Sequence, residues 1–194
     1  VAIIDYPALP QRERILKIAA QLFARHGYHA VGMSDLQKAV GLGRGALYHH
    51  IRSKEDLLYE ILREYIQELG VTAESIRDAE ADPTRRVALL GEHLVRKIAS
   101  NQAELTVCFK ELHSLSADRH SEVLGYHARY ERIWRECMEE GARKGQFRPY
   151  SYIVFKGILG MYFYSYLWMQ PNLPQAADDI AEHFVELTLR MLAP

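Results

Sequence analysis

Apolar residues along the chain recur at intervals of three and four and nowhere alternate with polar ones long enough to make a strand, so the chain is expected to be all-α. Over 11–26, Ile15, Ile18, Ala19, Leu22 and Phe23 fall on one face of a helix that Gly27 ends, and Tyr28, Val31 and Met33 fill the corner behind it. Two short patterns follow: Leu36, Ala39 and Val40, then Leu47 and Ile51, with Gly41-Leu42-Gly43 between them. Ser34 and Gln37 have the spacing of a capping box, Gly41 suits a left-handed helix end, and the second short helix is expected from near Gly43 to Ile51. Ser53 with Asp56 opens the next helix, whose stripe of Leu57, Leu58, Ile61, Leu62, Tyr65, Ile66 and Leu69 is long enough to connect a small head to a larger body.

Asp82-Pro83 restarts the pattern, continued by Val87, Leu90, Leu94, Val95 and Ile98. Asn101 and Glu104 begin a short helix with Leu105, Cys108, Phe109 and Leu112. A long one over 118–144 carries Tyr126, Tyr130, Ile133, Trp134, Cys137 and Met138 and stops at Gly145. Residues 150–169 are aromatic throughout, with Lys156 the one charge. A central lysine, the tyrosine hydroxyls and the lack of a basic flank argue against a membrane span, leaving a helix buried on every side. In a body this small, a second subunit most easily supplies one of those sides. Gly157 and Gly160 permit close approach there, beside Tyr164 and Trp168. Pro171 and Pro174 end that helix, and Ile180, Phe184, Leu187 and Met191 give the last one a matching stripe, so two helices per subunit would form a four-helix homodimer interface. About nine helices result.

The side of 44–50 opposite Leu47 offers Arg44, Gly45, Ala46, Tyr48, His49 and His50, with Lys54 just beyond. Small residues let a helix approach a groove closely, an arginine can bind guanine through two hydrogen bonds, and Tyr, His and Lys can hold phosphate oxygens. The two short helices therefore read as a helix-turn-helix whose second helix enters a major groove of DNA, set against the plainer reading of a helical hairpin with a solvated face. Charge favours the first. Residues 1–54 hold eight Lys and Arg against three acids, a surplus of five, while the whole chain is at −1, so the remainder carries six net negative charges.

Over about 12–60 the chain resembles TetR-family transcriptional regulators, and the run Gly45-Ala46-Leu47-Tyr48-His49-His50-Ile51-Arg52-Ser53-Lys54-Glu55 carries the likeness. His50 and Ile51 stand where the family has aromatics, and Gly43 where it often has a serine cap. The resemblance implies a three-helix DNA-binding domain over 1–54, with 1–10 a flexible arm, and a helical ligand-binding and dimerisation domain over 55–194. It carries Ser34, Tyr48, His49 and Lys54 over as phosphate contacts on a double-stranded operator, beside Arg44 for base readout and Gly45 and Ala46 for close approach. A hydrophobic small-molecule effector is expected in a body cavity lined by Phe109, His113, Tyr130, Trp134, Phe155, Leu159 and Tyr162. The segment 130–148 is similar to that of TetR regulators answering to acyl-CoA or lipid-derived molecules. A TetR-like protein without a small-molecule effector is the alternative, and a small all-α enzyme a remoter one.

Catalysis finds little support. None of the nine histidines follows a glutamate by three residues, as a di-iron helical bundle requires, and no nucleophile-elbow, P-loop or dinucleotide pattern is present. His49-His50, Glu111 with His113, and His120 with His127 are isolated, so no metal or cofactor is expected. Cys108 and Cys137 lack metal-ligand spacing and read as reduced core thiols. With no targeting signal visible, the expected compartment is the cytoplasm, where the DNA is.

Overall fold

The computed structural model describes residues 3, 4, 6–169 and 174–194, the side chains of 174–176 excepted. Among these residues the elements are α1 (Gln11–His26), α2 (Met33–Val40), α3 (Arg44–His50), α4 (Lys54–Ala79), α5 (Pro83–Ser100), α6 (Gln102–Glu111), α7 (Ala117–Arg143), α8 (Tyr152–Tyr164) and α9 (Pro174–Leu192). Two 3-10 turns, Leu112–Ser114 and Ser165–Leu167, complete them, and no described residue lies in a strand. No described helix is long and apolar enough to cross a membrane.

The helices pack as two compact units. The first comprises Val1–Tyr65 and Ala103–Leu124, the second Ile66–Gln102 and Gly125–Pro194, so α4 and α7 each contribute to both. This is a division by packing and not by role.

In the first unit the α1 stripe is buried as expected: Ile15, Ile18 and Ala19 are wholly inaccessible, as are Leu36, Leu47, Leu57, Leu58 and Leu62. Ser53 caps α4, its Oγ accepting the Asp56 N–H at 3.0 Å. The expected Ser34–Gln37 capping box does not form. The first turn of α2 starts two residues earlier, with Gly32 as cap residue, and the Asp35 carboxylate accepts the Gly32 N–H at 2.9 Å. An aspartate at the third helical position outcompetes the serine because its charge also complements the helix N-terminus. The arm is not wholly free either, since the Gln21 carboxamide accepts from Ile4 N at 2.7 Å and donates to Ile4 O at 2.8 Å.

In the second unit Asp82 caps α5, its Oδ2 accepting the Arg85 N–H at 3.2 Å with Pro83 in the first turn. The Arg86 guanidinium is buried behind this cap. It donates to the Glu80 carbonyl and to the Glu140 carboxylate, both at 2.5 Å. Glu140 also accepts from Lys144 at 2.7 Å, and these two cations, Lys144 foremost, pull its carboxyl down to about 2. Gly141 is a close approach: a Cβ there would lie 2.1 Å from Phe147 Cδ2, so the ring packs against bare backbone.

Within one chain the aromatic stretch 150–169 is covered on one face only, and the other is the side expected to meet a second subunit. Helix α8 ends at Tyr164, and within the unit it buries Phe155, Ile158, Leu159 and Tyr162. Its other face leaves Tyr152, Ile153 and Tyr164 exposed at 64, 82 and 66%. Helix α9 buries Ala181, Thr188 and Leu192, while Ile180, Phe184 and Met191 are half-buried and Leu187 is exposed. Pro174 stands at the start of α9, not at the end of α8; Pro171, expected to end α8, lies outside the described residues.

Candidate nucleic-acid interface

Two local devices set the angle between α2 and α3. Gly41 takes the left-handed conformation, φ 73° and ψ 27°, and the N–H groups of Gly41 and Leu42 both return to the Gln37 carbonyl, at 2.9 and 3.2 Å. Gly43 then starts α3 from extended backbone, its carbonyl accepting from Leu47 N at 3.0 Å. Leu47, wholly buried, and Ile51 anchor one side of α3 to the core. That anchorage turns the opposite side outward.

Ser34, Arg44, Gly45, Ala46, Tyr48 and His49 are all exposed. No acid stands in the first turn of α3, and the Arg44 guanidinium lies 5.7 Å from the centre of the Tyr48 ring, a cation–π contact that orders both without using the arginine's hydrogen-bond donors. A Cβ on Gly45 would meet nothing within 4 Å, so its value lies in closeness to whatever α3 approaches. The expected residues other than Lys54 are thus all accessible on the first unit.

Lys54 is placed differently. Its ammonium donates to the carbonyls of Tyr28 and Val31, both at 3.0 Å, with His29 O at 3.5 Å, and sits 4.4 Å from the Tyr28 ring centre. An ammonium has three protons, and here three carbonyls receive them. Its expected role as a phosphate contact is corrected to one of holding the 28–31 corner against the start of α4.

Ties that sequence reasoning missed join this surface's scaffold to the segment 103–124. Glu111 Oε1 accepts the Tyr28 N–H at 3.1 Å, Lys17 pairs with Glu104 at 2.7 Å, and the Ser116 N–H donates to Glu55 at 3.0 Å. Arg119 binds Asp56 and lies 4.9 Å from the Tyr59 ring centre. Burial acts to raise the Asp56 carboxyl, but its bonds to Arg119 and Ser53 outweigh that and lower it. The Ser116 hydrogen bond likewise lowers Glu55. The acids of α6 that make two of these ties, Glu104 and Glu111, are buried, and nothing in their spacing announced it.

The expected effector residues divide. Phe109, 56% exposed, and His113 are on the surface of the first unit, so they are corrected from cavity walls to exposed side chains. Tyr130, Trp134, Phe155, Leu159 and Tyr162 are each at most 3% exposed within the second. There the Trp134 and Tyr162 rings lie 5.7 Å apart, and the Tyr162 hydroxyl accepts from Thr188 at 3.1 Å and is pushed up to about 12 by burial. The Tyr130 hydroxyl and Trp134 indole N–H are buried side by side without closing a hydrogen bond, and burial raises the Tyr130 phenol. Of the expected dimer residues, Gly157, Gly160, Tyr164, Trp168 and Leu187 are exposed, and Trp168 lies edge-on to Phe184 at 6.0 Å. No group of three or more potential metal-ligating side chains occurs among the described residues.

A helix-turn-helix with an outward basic helix, joined to a helical body with an apolar outer face, defines a class of DNA-binding regulator. Residues 15–61 match the bacterial regulatory proteins of the tetR family, and 80–192 match the tetracyclin repressor-like C-terminal domain. The chain belongs to the TetR family of transcriptional regulators. By that membership it is a ligand-responsive, DNA-binding repressor that works as a homodimer, and not an enzyme. It is similar to the transcriptional repressor KstR2 of Mycolicibacterium smegmatis, 26% identical over 95% of this chain and 93% of that one. The structure of the ketosteroid transcriptional regulator KstR2 of Mycobacterium tuberculosis matches with a TM-score of 0.88 at 25% identity, covering 100% of both chains. The TetR-family regulator PfmR from Thermus thermophilus matches with a TM-score of 0.84 at 31% identity, over 91% of this chain and 97% of that one.

Proposed function

We propose that residues 1–54 form the operator-reading part and 55–194 the part that binds effector and partner subunit. Two copies of α3, one per subunit, enter successive major grooves about 34–36 Å apart on a quasi-palindromic operator. Arg44 reads a base, Ser34, Tyr48 and His49 hold phosphates, and Gly45 and Ala46 allow close contact, the alanine methyl against a base edge. The observation that carries this reading is the exposed, acid-free outer face of α3 on a head with a surplus of five positive charges. The exposed apolar faces of α8 and α9 support the dimer that supplies the second copy.

The effector is a hydrophobic small molecule, of the acyl-CoA or lipid-derived kind, bound among Tyr130, Trp134, Phe155, Leu159 and Tyr162, and it releases the repressor from DNA. The aromatic character of that cluster supports a hydrophobic ligand, and the unclosed Tyr130 and Trp134 polar groups supply handles for it. KstR2, described as a ketosteroid regulator, points to the same broad class. Because α4 runs through both compact units, a ligand that favours one body arrangement alters the head spacing, and DNA and ligand oppose each other by linkage.

The test is a thermal-shift screen of acyl-CoAs, steroids and aromatic drugs, followed by a gel shift on a selected operator. A ligand at one hundred times its dissociation constant stabilises the fold by about 2.7 kcal/mol. It is expected to release DNA over the same concentration range. Stabilisation by none of these classes, or a bound ligand that tightens DNA binding, contradicts the proposal.

A further inference from the structure

The second compact unit carries an open groove between the later part of α4 and the middle of α7. One end, with a volume of about 550 Å³, is lined by Arg77, Arg129 and Arg132 with Glu74 and Glu136. The other end, sharing Glu74 and Arg129 with the first, is lined by Val71 and Tyr126. It is thus cationic and ion-paired at one end and apolar at the other.

Three features of the groove are not explained by the needs of the fold. Gly70 and Gly125 both line it from helix interiors, where glycine is weaker than alanine, yet a Cβ on either would meet nothing within 4 Å and neither has a positive φ. Packing does not demand them, and what they provide is depth. Val71 is 67% exposed although it belongs to a helix with a well-buried apolar stripe. Arg132 is exposed, and no described residue pairs with it, while Arg129 engages Glu74 through Nε at 2.7 Å and a guanidinium has further N–H groups to offer. Arg77 donates through Nε to Asp78 at 2.8 Å, while its other edge lies 4.0 Å from Glu136, a loose contact that a stronger anion can displace.

The geometry points to a binding site for the phosphate-bearing nucleotide end of an acyl thioester, the coenzyme A moiety. Its phosphates lie on Arg77, Arg129 and Arg132, whose planar forks match phosphate oxygens, and its organic part lies along Val71 and Tyr126. A single carboxylate would compete poorly with Glu74 and Glu136 for these cations, whereas a molecule with several phosphates replaces both glutamates at once. The inference rests on the effector reading above and narrows it from hydrophobic molecules in general to those with a polyphosphate head.

Calorimetric titration of the full chain with coenzyme A, decanoyl-coenzyme A and decanoic acid tests it. Arg132→Glu is expected to weaken both coenzyme A ligands about tenfold or more and to leave decanoic acid unchanged. Gly125→Leu fills the groove and is expected to do the same while holding or raising the melting temperature, which a merely structural glycine would not permit. Equal affinity of decanoyl-coenzyme A for wild type and both variants overturns the groove assignment. Binding of decanoic acid without either coenzyme A form also overturns it, yet leaves the hydrophobic effector in place. Coenzyme A binding that depends on Arg132, with no ligand able to release DNA, upholds the groove and removes the release mechanism.

Discussion

The outer side of α3 and the outer side of α8 are both exposed helix faces, yet the first presents Arg44, Tyr48 and His49 and the second Tyr152, Ile153 and Tyr164. Each helix is anchored similarly, α3 by Leu47 and α8 by Phe155, Ile158, Leu159 and Tyr162. Exposure is therefore not what distinguishes them; the chemistry left exposed is. A face of small, cationic and hydrogen-bonding groups gains from a polyanion, while an aromatic face with two open glycines gains only from removal from water. One face suits DNA and the other suits a second copy of the chain.

The largest expected effect comes from breaking the apolar face. Tyr164→Glu combined with Leu187→Glu should convert the dimer to a monomer in sedimentation, and losing the linked second head should weaken operator binding about a hundredfold or more. Next, Arg44→Ala should cost about 1–3 kcal/mol on the specific site and relax one base position in a binding-site selection. Lys54→Met sharpens the contrast within the basic head. Because its ammonium is spent on the 28–31 carbonyls, the variant should lose about 1 kcal/mol of stability in thermal melts and keep the salt dependence of DNA binding. A salt slope lowered by about one, with unchanged stability, would instead make Lys54 a phosphate contact.

The smallest effect concerns acid. Glu140 is held down to about 2 from its ordinary 4.5, so the stability it contributes is complete above about 4.5 and is lost as pH falls through about 2. Its side chain is 27% exposed, so solvent screens the pairs and the contribution is modest. Glu140→Gln should shift the acid-unfolding midpoint slightly upward in circular dichroism and leave α3's DNA contacts untouched. An unmoved midpoint would make the Arg86–Glu140 pair neutral.

Much of this was legible in the chain because helical period and glycine punctuation are local. Leu36, Val40, Leu47 and Ile51 show the helix-turn-helix core directly, and Gly41 marks its turn. The outer residues of α3 follow by elimination, once the buried side is fixed. Local competition was less readable: Ser34 and Asp35 both have capping chemistry, and only the backbone start at Gly32 decides between them. Tertiary polar ties left no trace in the pattern, since Glu111 meets Tyr28 across 83 residues and Arg119 meets Asp56 across 63. Phe109 shows the limit of hydropathy, because an apolar residue at helical spacing proved 56% exposed. Residues 150–169 show a related limit. All-round apolarity there reflects two different partners, the chain's own core on one side and an uncovered face on the other.

The central claim is that paired copies of α3 read duplex DNA, and the most direct test is selection of binding sites from random duplexes by the full chain, followed by footprinting with a count of chains bound per site. The account predicts a quasi-palindrome with half-sites about one helical turn apart, two chains on it, and loss of preference at one position in each half-site with Arg44→Ala. A sequence with no internal symmetry, one chain per site, or a footprint indifferent to Arg44 would contradict it.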